Sequence, residues 1–101
     1  MIGTTYKMIE FRLPLLSPSL PWAIILEWNK SVGDVIQPAQ DEAHLQPDEC
    51  LLTLKTPLGT VYIPSPSSET CKVVALQKQA GSRVQEGELL AVLEPVDRQE
   101  A

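Results

Sequence analysis

The chain has 101 residues, 44% of them hydrophobic and 21% charged, which is the size and balance of one soluble globular domain and too short for two. Thirteen acidic residues against eight basic ones leave a formal net charge of −5, and aromatics contribute only 5%. The clustered cations and stacking platforms of a nucleic-acid binder are therefore missing, and the longest apolar stretch, Leu20 to Leu26, is far too short to span a bilayer.

Taken in chain order, residues 1–12 read as a loose segment without the basic, apolar and small-residue regions of a secretory leader. A cytoplasmic protein without membrane insertion is the expectation. Leu26 and Trp28 then alternate with Glu27 and Asn29, the period of two of a half-buried strand, and Gly33 marks a turn. The stretch Gln40 to Leu45 has modest helix propensity and is bounded by prolines on both sides.

Two apolar runs follow, Cys50 to Leu54 and Thr60 to Ile63, joined by Thr56-Pro57-Leu58-Gly59. Pro sets the backbone angle of the second position in a type I turn, and Gly is favoured at the fourth. That spacing predicts a hairpin with Leu58 at an exposed tip. Pro64 to Thr70 reads as an exposed connection, because its prolines cannot donate to a sheet ladder. Val74 and Leu76 alternate with Ala75 and Gln77 before Gly81, and the tail 96–101 reads as loose.

The two halves resemble one another. Residues 26–37 lie on 74–85 at an offset of 48, matching Lys30 with Lys78, Gly33 with Gly81 and Gln37 with Gln85. Residues 49–54 lie on 88–93 at an offset of 39. The nine-residue difference is an insertion at 38–46, and such a repeat predicts halves related by a pseudo-twofold axis.

Chemistry-bearing residues are scarce. His44, the one histidine, has Asp41 and Glu42 nearby, yet the three follow no metal-ligand spacing, and it reads as a solvated loop residue. Ser65, Ser67 and Ser68 have no base at a definable position to activate them. Cys50 and Cys71 read as small hydrophobic residues rather than a disulfide framework. Trp22 and Trp28 are expected to cover or fill the core. No catalytic residue and no metal site is expected.

Leu13-Pro14-Leu15-Leu16-Ser17-Pro18-Ser19-Leu20, Ile25-Leu26-Glu27-Trp28, Val32-Gly33-Asp34-Val35, Ala80-Gly81-Ser82-Arg83-Val84 and Glu86-Gly87-Glu88-Leu89-Leu90 carry a likeness to a known family. Together they resemble the biotinyl/lipoyl domains, in particular the lipoyl domains of 2-oxo acid dehydrogenase acyltransferases, over 13–95. The resemblance implies an all-β fold, a flattened barrel or sandwich of two four-stranded sheets with pseudo-twofold symmetry, with a carrier lysine on one hairpin. Relatives present Asp-Lys-Ala or Met-Lys-Met there. This chain has Pro57-Leu58-Gly59, so Leu58 stands at the attachment position and offers no amine for lipoate or biotin.

The expectation that follows is a single non-enzymatic, unmodified lipoyl-like domain, without cofactor, that acts as an interaction or scaffold protein. Its expected partner is a protein, such as a dehydrogenase-complex, acyltransferase or ligase subunit. Thr56, Pro57, Leu58 and Gly59, with His44 and Leu45 of the insertion, are the candidate contact residues. Two alternatives stay open at this point: a lipoyl or biotinyl carrier modified at a displaced lysine such as Lys55, and the hairpin domain of a membrane-fusion-type protein.

Overall fold

A computed structural model describes residues 8–14, 22–46 and 49–96. These form β1 (Ile9–Arg12), β2 (Trp22–Trp28), β3 (Val35–Ile36), β4 (Cys50–Thr56), β5 (Gly59–Pro64), β6 (Cys71–Leu76), β7 (Arg83–Gln85) and β8 (Leu89–Pro95), with one 3₁₀ turn at Glu42–His44 inside the insertion. Sheet A has the order β1-β8-β6-β3 and sheet B the order β5-β4-β2-β7, all neighbours antiparallel. Both sheets keep open edges, so the all-β fold is a flattened sandwich and not a closed barrel.

The pseudo-twofold relation holds strand by strand. Exchanging β2 with β6, β3 with β7, β4 with β8 and β5 with β1 turns one sheet order into the other. Irregularities exchange as well: the β2–β4 ladder shifts between Ile25 and Glu27, and the β6–β8 ladder shifts between Val73 and Ala75, both at the offset of 48. A third offset, 52, relates Phe11 on β1 to Ile63 on β5.

Burial follows the same axis. Ile25 and Val73, Ala23 and Cys71, Ile36 and Val84, Leu51 and Leu90, Leu52 and Ala91, Leu54 and Leu93, and Phe11 and Ile63 are buried as mates, and Leu13 completes the cluster. Cys50 and Cys71 are both buried and no disulfide joins them. Apolar area taken from water at about 25 cal/mol per Å² drives this packing, so each half supplies a similar share of it.

Two expectations need correction. Residues 1–12 are not loose throughout, because Ile9–Arg12 pairs with β8 and buries Phe11. The alternation of β2 is also displaced: Ile25 is buried and Leu26 is exposed, since the bulge between Ile25 and Glu27 inserts one residue and shifts the inward phase. Trp28 still packs on the core, and its indole N–H donates to the Lys78 carbonyl at 2.8 Å. Of the family-like opening stretch, residues 15–20 lie outside the described residues, as do 1–7 and 97–101 of the tails.

Candidate docking hairpin

Strands β4 and β5 form a hairpin whose register runs through Lys55 opposite Thr60 to Thr56 opposite Gly59, leaving Pro57 and Leu58 as the connection. Neither residue has a positive φ, which excludes type II, I′ and II′ turns and fits the expected type I turn. A type I turn splays the strands of a hairpin because its twist opposes theirs. Gly59 absorbs the mismatch by taking φ +131°.

Thr56 pins this turn. It is buried, accepts a hydrogen bond from the Leu58 N–H at 3.1 Å, and donates through the same Oγ1 to the Gly59 carbonyl at 2.9 Å. Both capacities of the hydroxyl are thus spent on fixing the tip. Leu58 projects from it with 77% of its surface exposed. A rigid apolar tip of this kind can dock with little ordering entropy, but it has no group for acid–base, nucleophilic or attachment chemistry.

Lys55 lies on β4 between Ile24 and Thr60, exposed on the outer face of sheet B rather than at the tip. On the same face, Arg83 of β7 sits opposite Ile24, and its guanidinium lies 4.5 Å from the ring centre of Trp22. Trp22 is therefore half-buried on the outside instead of filling the core. Sequence reading missed Arg83. Its one signal was the repeat, in which Arg83 occupies the place of Val35.

The insertion is held apart from the hairpin. It enters β4 at Cys50, six residues from Thr56, a separation of roughly 20 Å at the usual rise of a strand. Pro38 and Ala39 line a groove of about 300 Å³ with residues 65–68 of the connection after β5. His44 ends the 3₁₀ turn, exposed, with Nδ1 2.9 Å from Asp41 Oδ2, while Asp41 Oδ1 accepts from the Ala43 N–H at 3.0 Å. These bonds hold the Asp41 carboxyl below the usual carboxylate range, the His44 contact contributing most. Leu45 is half-buried beside it. The structure thus divides the candidate contact residues into two surfaces, with Thr56, Pro57, Leu58 and Gly59 at one end of β4 and His44 and Leu45 beyond the other.

Among the described residues, no three of His, Cys, Asp and Glu converge in a way that could hold a metal ion, and no helix is long and apolar enough to cross a membrane. Compared with known proteins, the chain matches no family model, and no curated protein matches it.

Proposed function

We propose that this chain is an unmodified lipoyl-like domain that works as a non-catalytic interaction or scaffold protein. Its partner would be a subunit of an acyl-transfer or 2-oxo acid dehydrogenase-like assembly in the cytoplasm. The observation that carries this reading is Leu58, 77% exposed on a turn fixed by Thr56, where the resemblance puts an attachment lysine. An amide to lipoate or biotin requires an amine at that tip. An apolar side chain held there instead offers contact area to a pocket. The two-sheet, two-fold architecture supports the family likeness, while the function rests on the tip itself.

Two measurements test the proposal. Co-expression with a lipoate ligase or a biotin ligase should leave the intact mass unchanged, and an added cofactor mass mapped to Lys55 would establish the carrier reading in its place. Affinity purification should recover a partner with the wild-type chain and lose it with Leu58→Ser, while the circular-dichroism melting curve stays the same. Recovery that is indifferent to Leu58→Ser would remove the hairpin from the interface.

A further inference from the structure

Four residues line up across the whole width of sheet B beside the hairpin. Thr60 faces Lys55, Lys55 faces Ile24, and Ile24 faces Arg83. Residues directly opposite in a ladder share a face, and here it is the outer one, because Ala23, Ile25 and Leu54 next to them are buried. The row places two cations roughly 10 Å apart at normal strand spacing, with an apolar residue between them.

The molecule contains its own control for this row. The two-fold carries Lys55 to Glu94, Ile24 to Lys72 and Arg83 to Val35 on sheet A, where Lys72 faces Glu94 directly. The same backbone thus carries a charge-balanced row on one sheet and two cations on the other. The scaffold does not require cations there.

The rest of the chain sharpens the contrast. Formal net charge is −5, Arg12 is paired with Glu10 at 2.9 Å, and Lys78 is paired with Glu88 at 2.8 Å. Among the described residues, neither Lys55 nor Arg83 forms an ion pair, as is also true of Lys30 and Lys72, so it is the pairing of two cations in one row that marks this face. Arg83 is instead stacked on Trp22, which holds the guanidinium fork in place without using its donors. On β2, Glu27 belongs to the next row, opposite Thr53, away from the tip.

We infer that the outer face of sheet B beside the hairpin is a recognition surface for an acidic segment of a protein partner. This rests on the reading of the hairpin as a docking element and names the chemistry of what docks. An extended segment crossing the strands presents every second side chain to one side, about 7 Å apart, and the long Lys and Arg side chains reach two such carboxylates. Ile24 and Trp22 supply apolar contact between them, and Leu58 supplies it at the tip.

The test uses the full 101-residue chain, labelled with ¹⁵N and titrated with a ten-residue peptide of alternating glutamate and serine ending in leucine. The amides of Ile24, Lys55 and Arg83 should shift most. Lys55→Glu and Arg83→Glu should each weaken binding about five- to tenfold, the loss expected when a charge pair becomes a repulsion, and added salt should weaken it too. Arg83→Lys keeps the charge and controls for a folding defect, and Lys72→Glu on the two-fold mate row should change nothing.

Shifts that map to sheet A, equal sensitivity to Lys72→Glu, or indifference to Lys55→Glu would overturn the assignment. So would equal binding of phosphatidylserine vesicles or duplex DNA, which would reveal unselective attraction of anions. If the charge variants are silent while Leu58→Ser still loses the partner, the hairpin reading stands and this inference falls. If the charge variants abolish peptide binding while Leu58→Ser keeps the partner, the reverse holds.

Discussion

The amide of Gly33 donates to the carbonyl of Val73 at 2.8 Å, which carries the turn leaving β2 of sheet B onto β6 of sheet A. Forty-eight residues along, Gly81 donates to Ile25 at 2.7 Å and carries the mate turn the other way. Return bonds run from Val73 to the Asp34 carbonyl and from Ile25 to the Ser82 carbonyl, at 2.8 and 2.9 Å. Each half thereby gives its shortest strand, β3 or β7, to the sheet built mainly by the other. The halves interlock, so the sandwich should unfold as one cooperative unit.

Leu54→Ala and Leu93→Ala test that unit from its core. Both leucines are fully buried and the two-fold relates them. Each truncation is expected to cost about 2–5 kcal/mol in urea unfolding, and the two should cost alike within the usual spread of cavity effects. A domain of this size has only about 5–15 kcal/mol to lose, so the double variant should give up a large share of its stability and unfold at a much lower urea concentration. A near-neutral result at either position would break the equivalence of the halves.

The offset of 48 was legible because Lys30, Gly33 and Gln37 repeat as residues, and the offset of 39 because Glu49, Leu51 and Leu54 do, not merely as hydrophobicity. The offset of 52 was not. Ile9-Glu10-Phe11-Arg12 and Val61-Tyr62-Ile63-Pro64 share little beyond alternation, and a four-residue strand with a charged residue at every second position looks like a tail until a neighbour buries Phe11. The bulge that exposes Leu26 belongs to the pairing of β2 with β4, not to β2 alone. For the hairpin, Pro57 and Gly59 announced the turn. The row through Lys55, Ile24 and Arg83 depends on register among strands far apart in sequence, and no local pattern encodes that.

The turn at the tip depends on Thr56 and Gly59. Thr56→Val keeps the shape but removes both bonds of Oγ1, leaving the Leu58 N–H and the Gly59 carbonyl without that partner. The expected loss is about 1–3 kcal/mol, read by urea unfolding. At Gly59 an added Cβ would meet nothing within 4 Å, so Gly59→Ala should cost only the backbone strain of φ +131°, which lies beyond the left-handed helical region and costs about 1–3 kcal/mol. A neutral Thr56→Val would show that the tip is not fixed by this hydroxyl.

Glu88 gives the fold a pH dependence with a definite sign. Its carboxylate takes the Lys78 ammonium at 2.8 Å and the Gln85 N–H at 2.9 Å, and these bonds, Lys78 first, hold its pKa below the ordinary glutamate value. A carboxyl with a depressed folded-state pKa stabilises the fold fully above the unfolded value, about 4.3, and loses that contribution as pH falls through the folded value. Glu88→Gln should therefore be less stable than wild type at neutral pH, with the gap closing only below that value. A gap that widens on acidification would contradict the arrangement.

Removing the insertion is the sharpest test of the repeat. At the end of β7, the Gln85 N–H donates to Glu88 Oε1 and the Glu88 N–H donates to the Gln85 carbonyl at 3.0 Å. Before β4 the same two bonds join Gln46 and Glu49, at 3.2 and 2.9 Å. Gln46 thus holds the place of Gln85, and the nine extra residues are 37–45 in structure. Sequence alone placed them at 38–46, because Gln37 and Gln46 are the same residue type, and either deletion yields one and the same chain. Joining Ile36 to Gln46 then rebuilds Val84–Gln85. The deleted protein should fold with a melting temperature within a few degrees of wild type, since a shorter loop gains a little closure entropy and forfeits only the 3₁₀ turn and the groove at Pro38. Partner recovery through Leu58 should survive as well, because the hairpin lies at the far end of β4. If recovery is lost while the melting curve is kept, His44 and Leu45 belong to the interface, and the partner spans both ends of that strand.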